Sequence, residues 1–321
     1  MKMLEVKNLN IAFASDEEIL PVVRNVSFSL SKGKLLGIVG ESGCGKSVTL
    51  MSVLRLLPKN AIVDADYISF NGQNILDMQE DDLCTVRGNK IALIPQDPLT
   101  SLNPLYTIGD QIMEVIMLHQ KVDKKQARAL AIEALRQVNI PEAEKRIDEY
   151  PHQFSGGMCQ RVIIAMALSC NPDLIIADEP TTALDVTVQA QIMKLFKDIQ
   201  QKMGTSIILV THDLALVSEV ADEVVVMYSG EIAEQAPARE FFASPKHPYS
   251  QGLLNSLPTP NEERLNVIEG QPPSIRDQIS GCKFHLRCKY AFDTCSLKAP
   301  KLEFFDGGHG VSCWLYKKDE I

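Results

Sequence analysis

Apolar residues fall along this chain in two rhythms. Leu35–Val39, Ile91–Ile94, Leu174–Ala177, Ile207–Val210 and Val224–Met227 are short continuous apolar runs, the pattern of strands covered on both faces. Helical patterns stand between them. Ser47–Leu57 runs up to Pro58, and Gln189–Met203 runs up to Gly204, residues that end helices. The alternation predicts an α/β domain with a largely parallel sheet. The opening of the chain differs. Leu4–Ala14 and Val22–Leu30 alternate apolar and polar positions, and Tyr67–Phe70 leads into Asn71-Gly72, a hairpin-turn pair. An antiparallel β subdomain is expected there. Further on, Ala127, Leu130, Ala131, Ala134, Leu135 and Val138 fall at helical spacing, which predicts a helical insertion over about 98–165. After Ser244 prolines and cysteines rise and no regular period survives. Residues 1–243 therefore read as the main domain and 244–321 as a small C-terminal extension.

The 321 residues, 45% of them hydrophobic, are enough for a sizeable core. A net charge of −9, from 32 basic and 41 acidic residues, argues against a nucleic-acid partner. No apolar run has the length needed to cross a bilayer, and MKMLEVKNLN does not read as a signal peptide. The expectation is a soluble intracellular protein, whose eight cysteines are thiols or metal ligands rather than disulfides.

The chemistry starts at Gly40-Glu41-Ser42-Gly43-Cys44-Gly45-Lys46-Ser47, which follows the first apolar run and opens a helical pattern through Val48. It fits G-x-x-x-x-G-K-[ST]. Glycines let successive backbone N–H groups approach one anion, and the helix dipole adds to the attraction. Lys46 would bridge the outer phosphates and the Ser47 hydroxyl would hold Mg²⁺. A second group follows at Leu174–Glu179, an apolar strand ending in Asp178 and Glu179. Asp178 can hold magnesium, and Glu179 can take a proton from an attacking water. Cys44, beside a helix N-terminus, reads as a reactive thiolate.

Further segments carry a resemblance. Phe154-Ser155-Gly156-Gly157-Met158 is similar to the signature motif of ATP-binding cassette (ABC) ATPases. Gln96 resembles their Q-loop residue, Ala183-Leu184-Asp185 their D-loop, and His212 in Val210-Thr211-His212-Asp213 their switch histidine. The motifs stand in the family's order, from about Leu4 to Gly230. The resemblance implies the P-loop ABC ATPase fold: a RecA-like core with an antiparallel β subdomain and an α-helical subdomain. It also implies ATP and Mg²⁺ as ligands. Gln96 would touch magnesium, His212 would contact the γ-phosphate, and Phe13 would stack on adenine, where tyrosine is commoner. Ser155, Gly156, Gly157 and Met158, with Asp185, would serve the ATP of an opposing subunit. Ser155 can cap the helix that follows, whose N-terminus attracts anions. Met158 replaces the family's usual glutamine.

Gln96-Asp97-Pro98-Leu99-Thr100-Ser101-Leu102-Asn103-Pro104 resembles the Q-loop region of oligopeptide, dipeptide and nickel importer ATPases. Ser244-Pro245-Lys246-His247-Pro248-Tyr249-Ser250, with Gly252-Leu253-Leu254 and Leu257-Pro258, resembles their C-terminal segment. These importers imply a second ATPase subunit, two transmembrane permease subunits, an extracytoplasmic solute-binding protein, and a seat on the cytoplasmic face of the plasma membrane. Peptide is the expected solute, with nickel, glutathione or another small solute as alternatives. A soluble, non-transport ABC ATPase is the competing class.

Cys282, Cys288, Cys295 and Cys313 are spaced C-x5-C-x6-C-x17-C. Zinc sites favour C-x2-C knuckles, which are absent. Four separate loops would suit a [4Fe–4S] cluster, and the tail resembles the extension of dipeptide-importer ATPases that hold one. Zn²⁺, with His285 or His309 as substitute ligands, is the alternative, and plain thiols are the third reading.

Overall fold

The computed structural model describes residues 2–15, 18–182, 184–257, 267–277 and 279–316. Ala183 of the expected D-loop, Pro258 of the C-terminal segment and the chain ends at 1 and 317–321 lie outside the described residues. The chain divides into two compact units. The first comprises Ser31–Lys34 and Asp77–Val210. The second comprises Lys2–Leu30, Leu35–Leu76 and Thr211–Ile321.

In the first unit three parallel strands lie in the order Ser206–Thr211, Leu174–Asp178, Ile91–Ile94. Every residue of Leu174–Asp178 is buried, as a central parallel strand requires. The strand runs one residue beyond the apolar stretch, so Asp178 is itself a strand residue. Between Pro98 and Leu168 every regular element among the described residues is helical. Lys124–Gln137 opens with a capping box between Asp123 and Gln126 and buries Ala127, Ala131, Ala134 and Leu135. Leu130, expected on the same face, is 40% exposed.

The second unit holds two sheets. Ile19–Ser31, Lys2–Ala14, Tyr67–Phe70 and Gln73–Asn74 are ordered side by side, with Ala61–Asp64 also on Lys2–Ala14. Asn71 and Gly72 both have positive φ, 50° and 83°, the conformation their hairpin turn needs. The strands of the other sheet in this unit are Leu35–Val39, buried throughout, then Glu223–Tyr228 beside it and Glu231–Pro237 beyond. Its edge is built by the C-terminal extension: His309–Val311 pairs with Glu231–Pro237, and Glu303–Phe305 with His309–Val311. The extension also forms the helix Pro248–Asn255. It is regular structure stitched to a sheet, where the sequence pattern showed no period.

The helix after the glycine-rich loop spans Lys46–Val53 and stops short of Leu57. Arg55 takes φ 51°, and the Leu56 N–H bonds to the Met51 carbonyl, so the last turn unwinds before Pro58.

Candidate functional site

In the second unit the glycine-rich loop joins the buried strand Leu35–Val39 to the helix Lys46–Val53. Gly40 has φ 156°, and a Cβ there would lie 2.3 Å from the Met227 carbonyl oxygen. Only glycine fits that approach. Gly45 caps the helix at φ 100°. Lys46 is buried, and its Nζ donates to the carbonyls of Gly40 at 2.8 Å and Glu41 at 3.0 Å. The ammonium thus lies folded back over its own loop. Ser42 and Gly43 are exposed, and Ser47 and Val48 are half-buried. Loop residues Glu41–Cys44 line a cleft of about 340 Å³ together with Val22, Arg24, Tyr228 and Pro272–Ile275. The loop itself, with glycines at the close approaches and a buried lysine at its end, suits an anionic chain.

Cys44 corrects the expectation of a thiolate. It is buried, and burial pushes its thiol up, with the Lys46 ammonium opposing. Desolvation outweighs the helix terminus. Phe13 is half-buried on Lys2–Ala14, opposite Ala61. His212 is exposed, just before Asp213, whose carboxylate caps the helix Leu214–Val220.

In the first unit the structure brings Gln96 and Glu179 together. Gln96 Nε2 donates to Glu179 Oε2 at 3.4 Å. Thr182 Oγ1 donates to the same oxygen at 2.9 Å, a partner the sequence reading missed. Glu179 takes φ 46° and its N–H bonds to the Val210 carbonyl. A left-handed glutamate is a strained conformation of the kind found at reacting sites. Asp178 beside it is buried.

The signature segment lies in the same unit. Ser155 caps the helix Gly156–Leu168, its hydroxyl accepting from the Met158 N–H at 3.3 Å. A Cβ on Gly157 would meet Val188 Cγ1 at 2.8 Å, whereas Gly156 has room. Asp185 caps Val186–Met203 through the Val188 N–H. One carboxylate thus orders the helix that walls Gly157.

In the extension, Cys282 and Cys288 are half-buried and Cys295 and Cys313 buried. Burial pushes the Cys282 thiol up to about 12, where it also feels the other three cysteines, and Cys313 up to about 11, where it feels Cys288 and Cys295. The four thiols share one neighbourhood. Cys295 sits in the helix Asp293–Leu297 rather than in a loop. Among the described residues, no three His, Cys, Asp or Glu side chains converge closely enough to hold one metal ion. No helix of the described residues is long and apolar enough to cross a membrane.

Residues 23–182 match the ABC transporter family, and 233–295 match the oligopeptide/dipeptide transporter C-terminal region. The chain is 47% identical to a probable peptide ABC transporter ATP-binding protein of Sinorhizobium fredii, covering 97% of this chain and 94% of the relative. It is equally close to an oligopeptide transport ATP-binding protein of Bacillus subtilis, over 99% and 98%. The dipeptide transport ATP-binding protein of Escherichia coli is 45% identical, over 98% and 96%. Among solved structures, the dimeric ATP-binding cassette MJ0796 with ADP and phosphate aligns with TM-score 0.65 at 28% identity, covering 74% of this chain and 99% of that one.

Proposed function

The chain belongs to the ABC transporter ATP-binding proteins of the oligopeptide/dipeptide type, and we infer that it hydrolyses ATP to energise peptide import. The observation that carries this reading is the similarity over nearly its full length, extension included, to peptide transport ATP-binding proteins. The glycine-rich cradle supports it independently.

ATP is the substrate. Backbone N–H groups of Gly40–Val48 and the Lys46 ammonium receive its phosphates, after Lys46 leaves the carbonyls it now holds. Phe13 stacks on the adenine. Ser47, Gln96 and Asp178 would hold Mg²⁺, which would neutralise charge on the phosphates. Glu179 takes a proton from the attacking water as that water's oxygen bonds to the γ-phosphorus. The bond to the β-bridging oxygen breaks, giving ADP and inorganic phosphate. Gln96, whose amide already donates to Glu179, orients the carboxylate, and His212 positions the γ-phosphate. Ser155–Met158 and Asp185 act on the nucleotide of an opposing ATPase subunit. Two such subunits close head to tail, and closure drives two permease subunits at the cytoplasmic face of the membrane, with a solute-binding protein outside.

For the extension we propose that Cys282, Cys288, Cys295 and Cys313 hold a [4Fe–4S] cluster as a structural cross-link. What supports this reading is the neighbourhood of the four thiols, Cys282 feeling the other three and Cys313 feeling Cys288 and Cys295; the cluster would supply cross-linking between the segments that carry them. Anaerobically purified protein should be brown and carry iron; a colourless, iron-free chain removes the cluster.

The test of the main reading is reconstitution. The chain, with companion ATPase and permeases in liposomes, should hydrolyse Mg-ATP and accumulate peptide in step. Absence of Mg-ATP binding by that complex would refute it.

A further inference from the structure

Glu41 is the second residue of the glycine-rich loop, and all its polar groups are held. Its carbonyl accepts from Lys46 Nζ at 3.0 Å. Its N–H donates to the Tyr249 hydroxyl at 2.9 Å. Its carboxylate receives both Arg287 terminal nitrogens, at 2.7 and 3.0 Å. Two of these three holds come from the C-terminal extension, 208 and 246 residues away in sequence.

Neither partner is a casual surface contact. The Arg287 side chain is only 6% exposed. Its Nε donates to the Glu269 carbonyl at 3.1 Å, and its guanidinium lies over the rings of Tyr228 and Phe284. Such a fork is oriented before it meets the carboxylate. Tyr249 is fully buried, its ring edge-on to Tyr228 at 4.6 Å. Its helix, Pro248–Asn255, is fixed at its start by His247 Nδ1, which accepts from the Tyr249 N–H. Both side chains are therefore anchored on their own side, and the loop is the part being held.

We propose that Arg287 and Tyr249 are positioning residues for nucleotide binding, the C-terminal extension holding the glycine-rich loop open to phosphate through Glu41. A phosphate loop binds because its N–H groups are set before the anion arrives. Tyr249 fixes the direction of the peptide that precedes Glu41. Arg287 turns the Glu41 carboxylate aside and neutralises it, beside a loop that must receive a polyanion. Without the guanidinium that carboxylate repels the incoming phosphates and the first turn loosens. This inference rests on the ATP-binding reading.

The experiment is titration of the purified full chain with Mg-ATP by calorimetry, and kinetics of the assembled complex, for wild type, Arg287→Met, Arg287→Lys and Tyr249→Phe. Arg287→Met should weaken binding about tenfold, as loss of a charge-assisted fork predicts, and raise KM more than it lowers kcat. Arg287→Lys, which keeps charge without the fork, should fall between. Tyr249→Phe removes one hydroxyl from a packed ring and should cost about fivefold. The single tryptophan, Trp314, lies buried in the extension, so its emission checks that each variant folds. The proposal is overturned if Tyr249→Phe and Arg287→Lys fold and bind Mg-ATP as wild type does. A wild-type chain that binds no nucleotide overturns instead the reading beneath it.

Discussion

Acid should loosen the C-terminal extension through His247. This imidazole is 3% exposed, and burial pushes it down to about 4 from an ordinary 6.5, the hydrogen bond to the Ser312 backbone opposing. The folded state thus keeps His247 neutral where the unfolded chain protonates it. Between pH 6.5 and 4 the unfolded chain binds more protons, so stability falls as pH falls. Linkage with these two values gives a loss of about 2 kcal/mol between pH 7.5 and pH 5. Neutral Nδ1 is also the acceptor that caps Pro248–Asn255, so protonation removes the cap. Facing groups include Glu234, which accepts the His247 and Lys246 N–H groups and the His309 ring. The control is His247→Asn, which keeps an N-cap acceptor and cannot titrate. It cancels whatever Glu234 and His309 contribute. Urea unfolding followed by Trp314 emission reads the extension directly, since its indole is buried and donates to the Lys298 carbonyl. Wild type should lose about 2 kcal/mol more than His247→Asn across that pH interval. Parallel loss in the two proteins would refute the reasoning.

Glu179→Gln should lower ATP turnover about a hundredfold or more while Mg-ATP still binds, as loss of a general base predicts; steady-state phosphate release against calorimetry separates the two. Gly40→Ala places a methyl 2.3 Å from the Met227 carbonyl. It should cost about 3 kcal/mol, an overpacking penalty visible as a lowered melting temperature. Iodoacetamide should label exposed Cys84 well before buried Cys44. Equal rates by peptide mass mapping would contradict the burial argument for Cys44.

Much of this was legible because burial and local sequence agree. Leu35–Val39 and Leu174–Ala177 are apolar without break and buried without break. The turn at Asn71-Gly72 announces itself by the conformations its residues tolerate. The cradle is local too, eight consecutive residues whose spacing states their purpose. Other features had no local sign. The helix Pro248–Asn255 carries little amphipathic pattern, and its only signal is His-Pro, a cap followed by proline at the first helical position. Nothing in the local sequence marks Glu234, a carboxylate, for burial, yet it is fully buried and joins the extension to a strand. Cys44 was misread because a helix terminus is visible in sequence and desolvation is not. The Arg287–Glu41 fork joins two ordinary charged residues, and no window of sequence contains both.

That fork sets an order of events at the ribosome. Glu41 leaves the exit tunnel 246 residues ahead of Arg287, about 10–50 s of synthesis at ordinary elongation rates. Throughout that interval the nascent chain exposes the whole loop with no guanidinium to complete it. A message that stops between Ser47 and Arg287 yields a product that still displays the loop's glycines and its lysine but lacks the guanidinium clasp.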